Sequence, residues 1–287
     1  NAYNLTVDSH DRAEIDVYDR QFERINSVPP SVDLTTPTDT IPANLYASTG
    51  GLSSTGVAGP LLPIDLLTGS VRSVPAPAPV RTTAGAIGDI AFSSNGELIG
   101  GTTFVSAAQR GGTLAFIDPD KGLVYREARI TGAGLPADFS VTALDFQPLT
   151  RTLFAAFDFD PATPGSTSRL GTIDLNACLG ATCPVTILGT TGVGEIGGLA
   201  LNPVNGALYA VTSGTVSGGN FVILNTVTGL ATFNSTTGFT DVTGLELAPD
   251  GTTLYGVLGA SENPAAPGVA GDLVRIDQFT GRGSVVD

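Results

Sequence analysis

Glu195 and Asp241 are the acidic side chains whose placement could do chemistry, because each opens an apolar strand at a matching place in two successive copies of a repeat. Carboxylates presented in this way can share a hard divalent cation, and Ca2+ is the ion that clustered carboxylate oxygens suit. Asp138 and Asp89 stand near the corresponding places in two other copies, where Ser140 and Ala86 occupy the matching positions. Asp158 and Asp160 in FDFDPATPGSTS are rich in oxygen but lack the fixed spacing of a Ca2+ loop, and the segment reads as a long plain loop. His10, in Asp8-Ser9-His10-Asp11, reads as part of an exposed loop.

Most other chemistry lacks its side chains. The chain has one His, a single Lys at Lys121, and neither Met nor Trp, so imidazole and amine bases are nearly absent. No Gly-x-Ser-x-Gly elbow, His-Glu-x-x-His pair or phosphate-cradling Gly-x-x-x-x-Gly-Lys-Ser/Thr loop occurs. No catalytic residue is assigned, no cofactor is required, and the expectation is a protein that is not an enzyme.

Cys178 and Cys183, in CLGATC, are spaced to close a disulfide across a turn, which places the chain in an oxidising compartment. Asn4-Leu5-Thr6 and Asn234-Ser235-Thr236 fit the acceptor pattern for N-glycosylation, making Asn4 and Asn234 candidates. With no initiating Met and no apolar run of bilayer length, the expectation is a mature product, secreted to the exterior or cell surface, without membrane insertion. Thirteen basic residues against 27 acidic ones give a net charge of -14, which repels nucleic-acid phosphates and anionic headgroups. At 287 residues, 41% hydrophobic and 14% charged, the chain is long enough and apolar enough to fold around a full core.

The elements that must carry these residues follow from self-similarity. An Asp or Asn after an aliphatic residue opens a short turn six times, at Asp16, Asp65, Asp118, Asp174, Asn225 and Asp277, at intervals of 49, 53, 56, 51 and 52 residues. Four of these turns close on Gly69, Gly122, Gly229 or Gly281; the Asx side chain bonds backbone amides and the glycine supplies positive φ. Between them recurs an alternating run, a turn, and a strand opening with Leu: Ile90-Ala91-Phe92 to Leu98, Leu144-Asp145-Phe146 to Leu153, Leu199-Ala200-Leu201 to Leu208, and Leu245-Glu246-Leu247 to Leu254. A degenerate copy runs from Val32-Asp33-Leu34 to Leu45-Tyr46. Asn-Gly and Asp-Gly between such runs are hairpin signals, so each period holds four strands, A to D. Four short antiparallel strands about every fifty residues match a β-propeller blade, which buries its faces only against neighbouring blades.

On these residues the chain resembles secreted bacterial β-propellers of the YVTN-like and SMP-30-like type. The motifs that carry the resemblance are Asn205-Gly206-Ala207-Leu208-Tyr209 or Asp250-Gly251-Thr252-Thr253-Leu254-Tyr255, followed by Leu224-Asn225-Thr226-Val227-Thr228-Gly229 or Ile276-Asp277-Gln278-Phe279-Thr280-Gly281. The resemblance implies the fold and little of the function. SMP-30-like lactonases bind a divalent ion in the central channel, which is what it implies for Glu195 and Asp241.

The expected fold is all-β: a propeller of six four-stranded blades, the N-terminal one incomplete. Five repeats span 31-84, 85-137, 138-194, 195-237 and 238-287, and residues 1-30 form an arm or partial blade with strands B, C and D but no A. Tyr3, Leu5, Val7, Ile15, Val17, Phe22 and Ile25 in this segment are the candidate self-association residues, since an unpaired strand edge accepts another strand. Arg12, Arg20 and Arg24 could steer the arm onto an acidic neighbour. The expected partner is a second copy, and a head-to-tail contact of this kind can propagate a fibre. The alternatives are a closed six-bladed monomer, and a secreted propeller enzyme or small-ligand binder holding a divalent cation at the channel mouth.

Overall fold

The computed structural model describes residues 82–93, 96–118, 123–163, 166–178, 180–213, 219–248, 251–259 and 271–286, apart from the side chains of 233 and 234. It also describes the backbone of five strands between residues 3 and 64. His10 and Phe22 lie outside the described residues. Among the described residues there is no α-helix, and none long and apolar enough to cross a membrane.

The chain divides into two compact units, residues 1–43 with 94–96, and the remainder. In the first, β1 (Tyr3–Val7), β2 (Ala13–Tyr18) and β3 (Arg24–Val32) form an antiparallel sheet in that order. Its register pairs Tyr3 with Val17, Leu5 with Ile15 and Val7 with Ala13, and then Ile15 with Val28. Alternation therefore puts Tyr3, Leu5, Val7, Ile15, Val17 and Val28 on one face. Strand β3 runs two residues past the boundary that the sequence suggests at residue 30.

The second unit begins with a hairpin of β4 (Leu45–Ser48) and β5 (Leu61–Ile64). Four complete blades follow. The first is β6 (Ala86–Phe92), β7 (Leu98–Ser106), β9 (Thr113–Asp118) and β10 (Leu123–Thr131), with the short β8 (Gln109–Arg110) folded onto β7. The second is β11 (Ser140–Gln147), β12 (Thr152–Asp158), β13 (Arg169–Asp174) and β14 (Thr182–Thr190). The third is β15 (Ile196–Leu201), β16 (Leu208–Thr212), β17 (Asn220–Leu224) and β18 (Ala231–Thr236). The fourth is β19 (Val242–Leu247), β20 (Thr253–Leu258), β21 (Leu273–Asp277) and β22 (Gly283–Val285).

The first strands of successive blades, β6, β11, β15 and β19, lie side by side, and each blade's second strand also meets the first strand of the next. This is the radial packing of a β-propeller. Strand β4 approaches β6 as β7 approaches β11, so the β4–β5 hairpin holds the place of strands B and C in a preceding blade.

Local chemistry explains the turns. The Asn225 side chain accepts from the amides of Val227 (2.9 Å) and Thr228 (3.0 Å), and Gly229 closes the turn at φ +77°. Asp277 repeats this with Phe279 (2.9 Å) and Thr280 (2.7 Å), and those amides hold its exposed carboxyl below the usual carboxylate range. Every inner hairpin also carries a register shift at one place, after Ile87, Val141, Ile196 and Val242. The extra residue is Gly88 or Gly197 in two of these bulges, where an added Cβ would strike the carbonyl of Val141 or Val242 on the next blade.

The core lies in the seams between blades. Ala91, Leu114 and Phe116 of the first blade pack with Val141, Leu144 and Phe157 of the second. Ala143 and Phe154 meet Leu199 and Leu208 across the next seam, and Ala200, Val211 and Phe221 meet Val242, Leu245 and Val274 across the last. At the outer rim, Arg129 N–H donates to Ala181 O (2.7 Å), Ala231 N–H to Thr191 O (2.8 Å) and Gly283 N–H to Thr237 O (2.8 Å). In the first of these joints the rim strands β10 and β14 also pair in parallel, Ile130 beside Cys183.

Candidate functional site

Two groups of carboxylates stand along the inner strands. The first follows from the A-strand starts. In the observed register Glu195 and Asp241 immediately precede β15 and β19 at the positions held by Ser140 and Ala86 in the other two blades. The fold brings Glu195 within electrostatic reach of Asp241, and of Asp158 at the end of β12. Burial pushes the Glu195 carboxyl up, and the negative charges of Asp158 and Asp241 push it further. Asp158 and Asp241 are themselves buried. Asp158 accepts from the Asp160 amide (2.9 Å) and from the Ser166 hydroxyl, so the oxygen-rich loop is tied together by its own polar groups. Asp138 is engaged elsewhere, in an ion pair with Arg110 at 3.0 Å. Among the described residues no three acidic, His or Cys side chains stand close enough to hold a metal ion.

Of the second group, sequence reasoning singled out Asp89 alone and missed Asp145 and Glu246. Asp89 on β6, Asp145 on β11 and Glu246 on β19 interact electrostatically with one another. Each accepts from the amide of its own following residue: Ile90 (2.8 Å), Phe146 (2.6 Å) and Leu247 (3.2 Å). Asp89 also accepts from the Leu144 amide of the next blade (2.8 Å), and Asp145 from the Leu201 amide of the blade after. Among the described residues no further strand covers these inner edges, so Asp89 and Asp145 are latches between blades that satisfy otherwise orphaned donors. Burial raises the Asp89 carboxyl well above its ordinary range and takes Asp145 to about 7, against the lowering effect of those amides. Glu246 rises to about 8, first from the crowding protein atoms and then from the charges of Asp145 and Asp89, although its side chain remains open to water on one side. The signal in the sequence was an acidic residue inside an apolar run, as in Leu144-Asp145-Phe146 and Leu245-Glu246-Leu247.

Cys178 and Cys183 form a disulfide that closes the turn before β14. Asn234 lies on β18 and Asn4 on β1. Tyr3, Leu5, Val7, Ile15, Val17 and Ile25 all fall on strands of the N-terminal sheet.

No protein-family model matches the chain, and no curated protein matches it. Among solved structures it is similar to a hydrazine synthase of Kuenenia stuttgartiensis, at 17% identity and a TM-score of 0.45 over 76% of this chain and 52% of that one. It is also similar to the Dos1 propeller, at 16% identity and a TM-score of 0.44 over 84% and 55%. The Cps50 (Swd1) β-propeller domain of Myceliophteria thermophila gives 15% identity and a TM-score of 0.43 over 82% and 66%. The chain thus spans between about half and two thirds of each of these chains. The propeller architecture rests on the blade register and seams.

Proposed function

We propose that this propeller is an interaction module that associates with copies of itself through its N-terminal sheet, in an extracellular setting. The observation that carries the reading is the strand count: the N-terminal sheet has three strands where each of the four complete blades has four. Among the described residues β1 pairs only with β2, so the other edge of β1 offers a row of amides and carbonyls to an incoming strand. A contact that uses different surfaces on the two copies is head to tail, and repeated without closure it builds a fibre. The disulfide is compatible with an oxidising compartment. Deleting residues 1–32 tests the reading. Light scattering coupled to size separation should find the intact chain above its 29.0 kDa monomer mass at high concentration and the truncated chain at its monomer mass. An intact chain that stays monomeric throughout would overturn it.

A second reading, a secreted enzyme or small-ligand binder using a divalent cation, draws on the crowding of Glu195, Asp158 and Asp241. A cation beside Glu195, with water and backbone oxygens supplying most of its shell, would relieve the repulsion that Glu195 feels. Ca2+ should then raise the melting temperature of the wild type and leave a Glu195→Gln variant unmoved. An equal response from both proteins excludes this site.

A further inference from the structure

The face of the fourth blade that looks away from the third is built as a blade seam, yet among the described residues no strand packs on it. Cross-strand register puts Gly244, Glu246, Tyr255, Val257 and Arg275 on it. Of their counterparts on the third blade, Gly198, Ala200, Tyr209 and Val211 are buried against β19 and β20, while Ile223, at the place of Arg275, is exposed there too. On the fourth blade Tyr255 and Val257 are only half-buried, and Glu246 and Arg275 are exposed in the single chain, the guanidinium 5.9 Å above the Tyr255 ring. The glycine pair makes the contrast sharp. A Cβ on Gly198 would meet the Leu245 amide of the next blade at 2.5 Å, whereas one on Gly244 meets nothing within 4 Å among the described residues. Glu246 occupies the register position of Asp145, which latches the following blade, yet among the described residues it accepts from its own Leu247 amide alone.

The geometry points to this face as the receiving surface for the β1–β3 sheet of a second copy of the chain. The occupant follows from continuity with the three seams already formed, each of which takes a blade of this same chain. Those seams receive an apolar face, and the register of the N-terminal sheet places Tyr3, Leu5, Val7, Ile15 and Val17 on one face, with Asn26 beside Val17. The proposal rests on the self-association reading and adds its docking surface. In the docked form Gly244 admits the incoming inner backbone as Gly198 does, and Glu246 accepts from one of its edge amides.

Gly244→Val tests the surface with the full chain. It should leave the single chain's melting temperature unchanged, because among the described residues a Cβ at this position meets nothing within 4 Å, and weaken association about tenfold or more, since added bulk overpacks a blade seam. Gly244→Cys on one copy and Leu5→Cys on another, mixed and oxidised, should yield a linked species of twice the chain mass. Three results overturn the proposal: unchanged association of Gly244→Val, failure of the mixed pair to link while the protein still associates, or linkage only within one chain carrying both cysteines. A wild type that never associates is a different failure, because it removes the self-association reading itself.

Discussion

Asp89 and Asp145 do structural work that sets a pH response. A carboxyl whose folded pKa is raised binds its proton more tightly in the native state than in the unfolded chain, where the ordinary value is about 4. The stability it contributes is complete below that value and is lost as pH rises through the folded pKa, about 7 for the buried Asp145. The protein should therefore melt at a higher temperature at pH 5 than at pH 8. The general repulsion of a chain at -14 acts in the same direction, and Asp145→Asn separates the two effects. Asparagine removes the ionisation but keeps only one of the two oxygens to which the Phe146 and Leu201 amides separately donate, so it lowers stability at every pH while flattening the pH dependence. Its melting temperature should change less between pH 5 and pH 8 than that of the wild type; an identical slope in both proteins would remove Asp145 as a cause.

At the scale of elements, the inner hairpins and their glycines hold the blades together. Gly198→Ala would drive a methyl group into the backbone of β19, so it should destabilise the protein by about 1–3 kcal/mol in a denaturant titration. Gly244→Ala, at the same register position one blade on, should cost less than about 0.5 kcal/mol in the single chain. Equal losses would mean that the third and fourth blades do not meet as described. The turns around Asn225 and Asp277 were legible in the sequence because their chemistry is local: a side chain, two amides and a glycine within five residues. The strands from 86 onward were legible for the same reason, through alternation and hairpin signals. The latches were not. Asp145 takes its decisive hydrogen bond from an amide 56 residues away, and nothing local separates it from a solvated carboxylate. Glu195 and Asp241 were legible as equivalent positions, whereas the approach of Asp158 from a neighbouring blade needed the fold.

For the whole molecule, net charge sets the salt dependence that the proposed self-association should show. Two bodies of -14 repel at long range, and salt screens that repulsion within about 10 Å at 0.1 M. If an apolar face meeting a blade seam drives association, raising NaCl from low to moderate concentration should strengthen it. If Arg12, Arg20 and Arg24 steering onto an acidic body dominates, the same change should weaken it. Sedimentation at several salt concentrations reads the sign directly.

The rim bonds between neighbouring blades bear on what happens when the polypeptide is cut. The connector between the first and second blades is exposed from Thr131 to Gly134, with Gly134 at φ +79°, and exposed loop tips are where proteases nick first. A nick there severs the covalent path but leaves the parallel run beside Cys183, the Asp89 latch and the apolar seam in place. The two fragments would travel as one particle under native conditions and part only in denaturant.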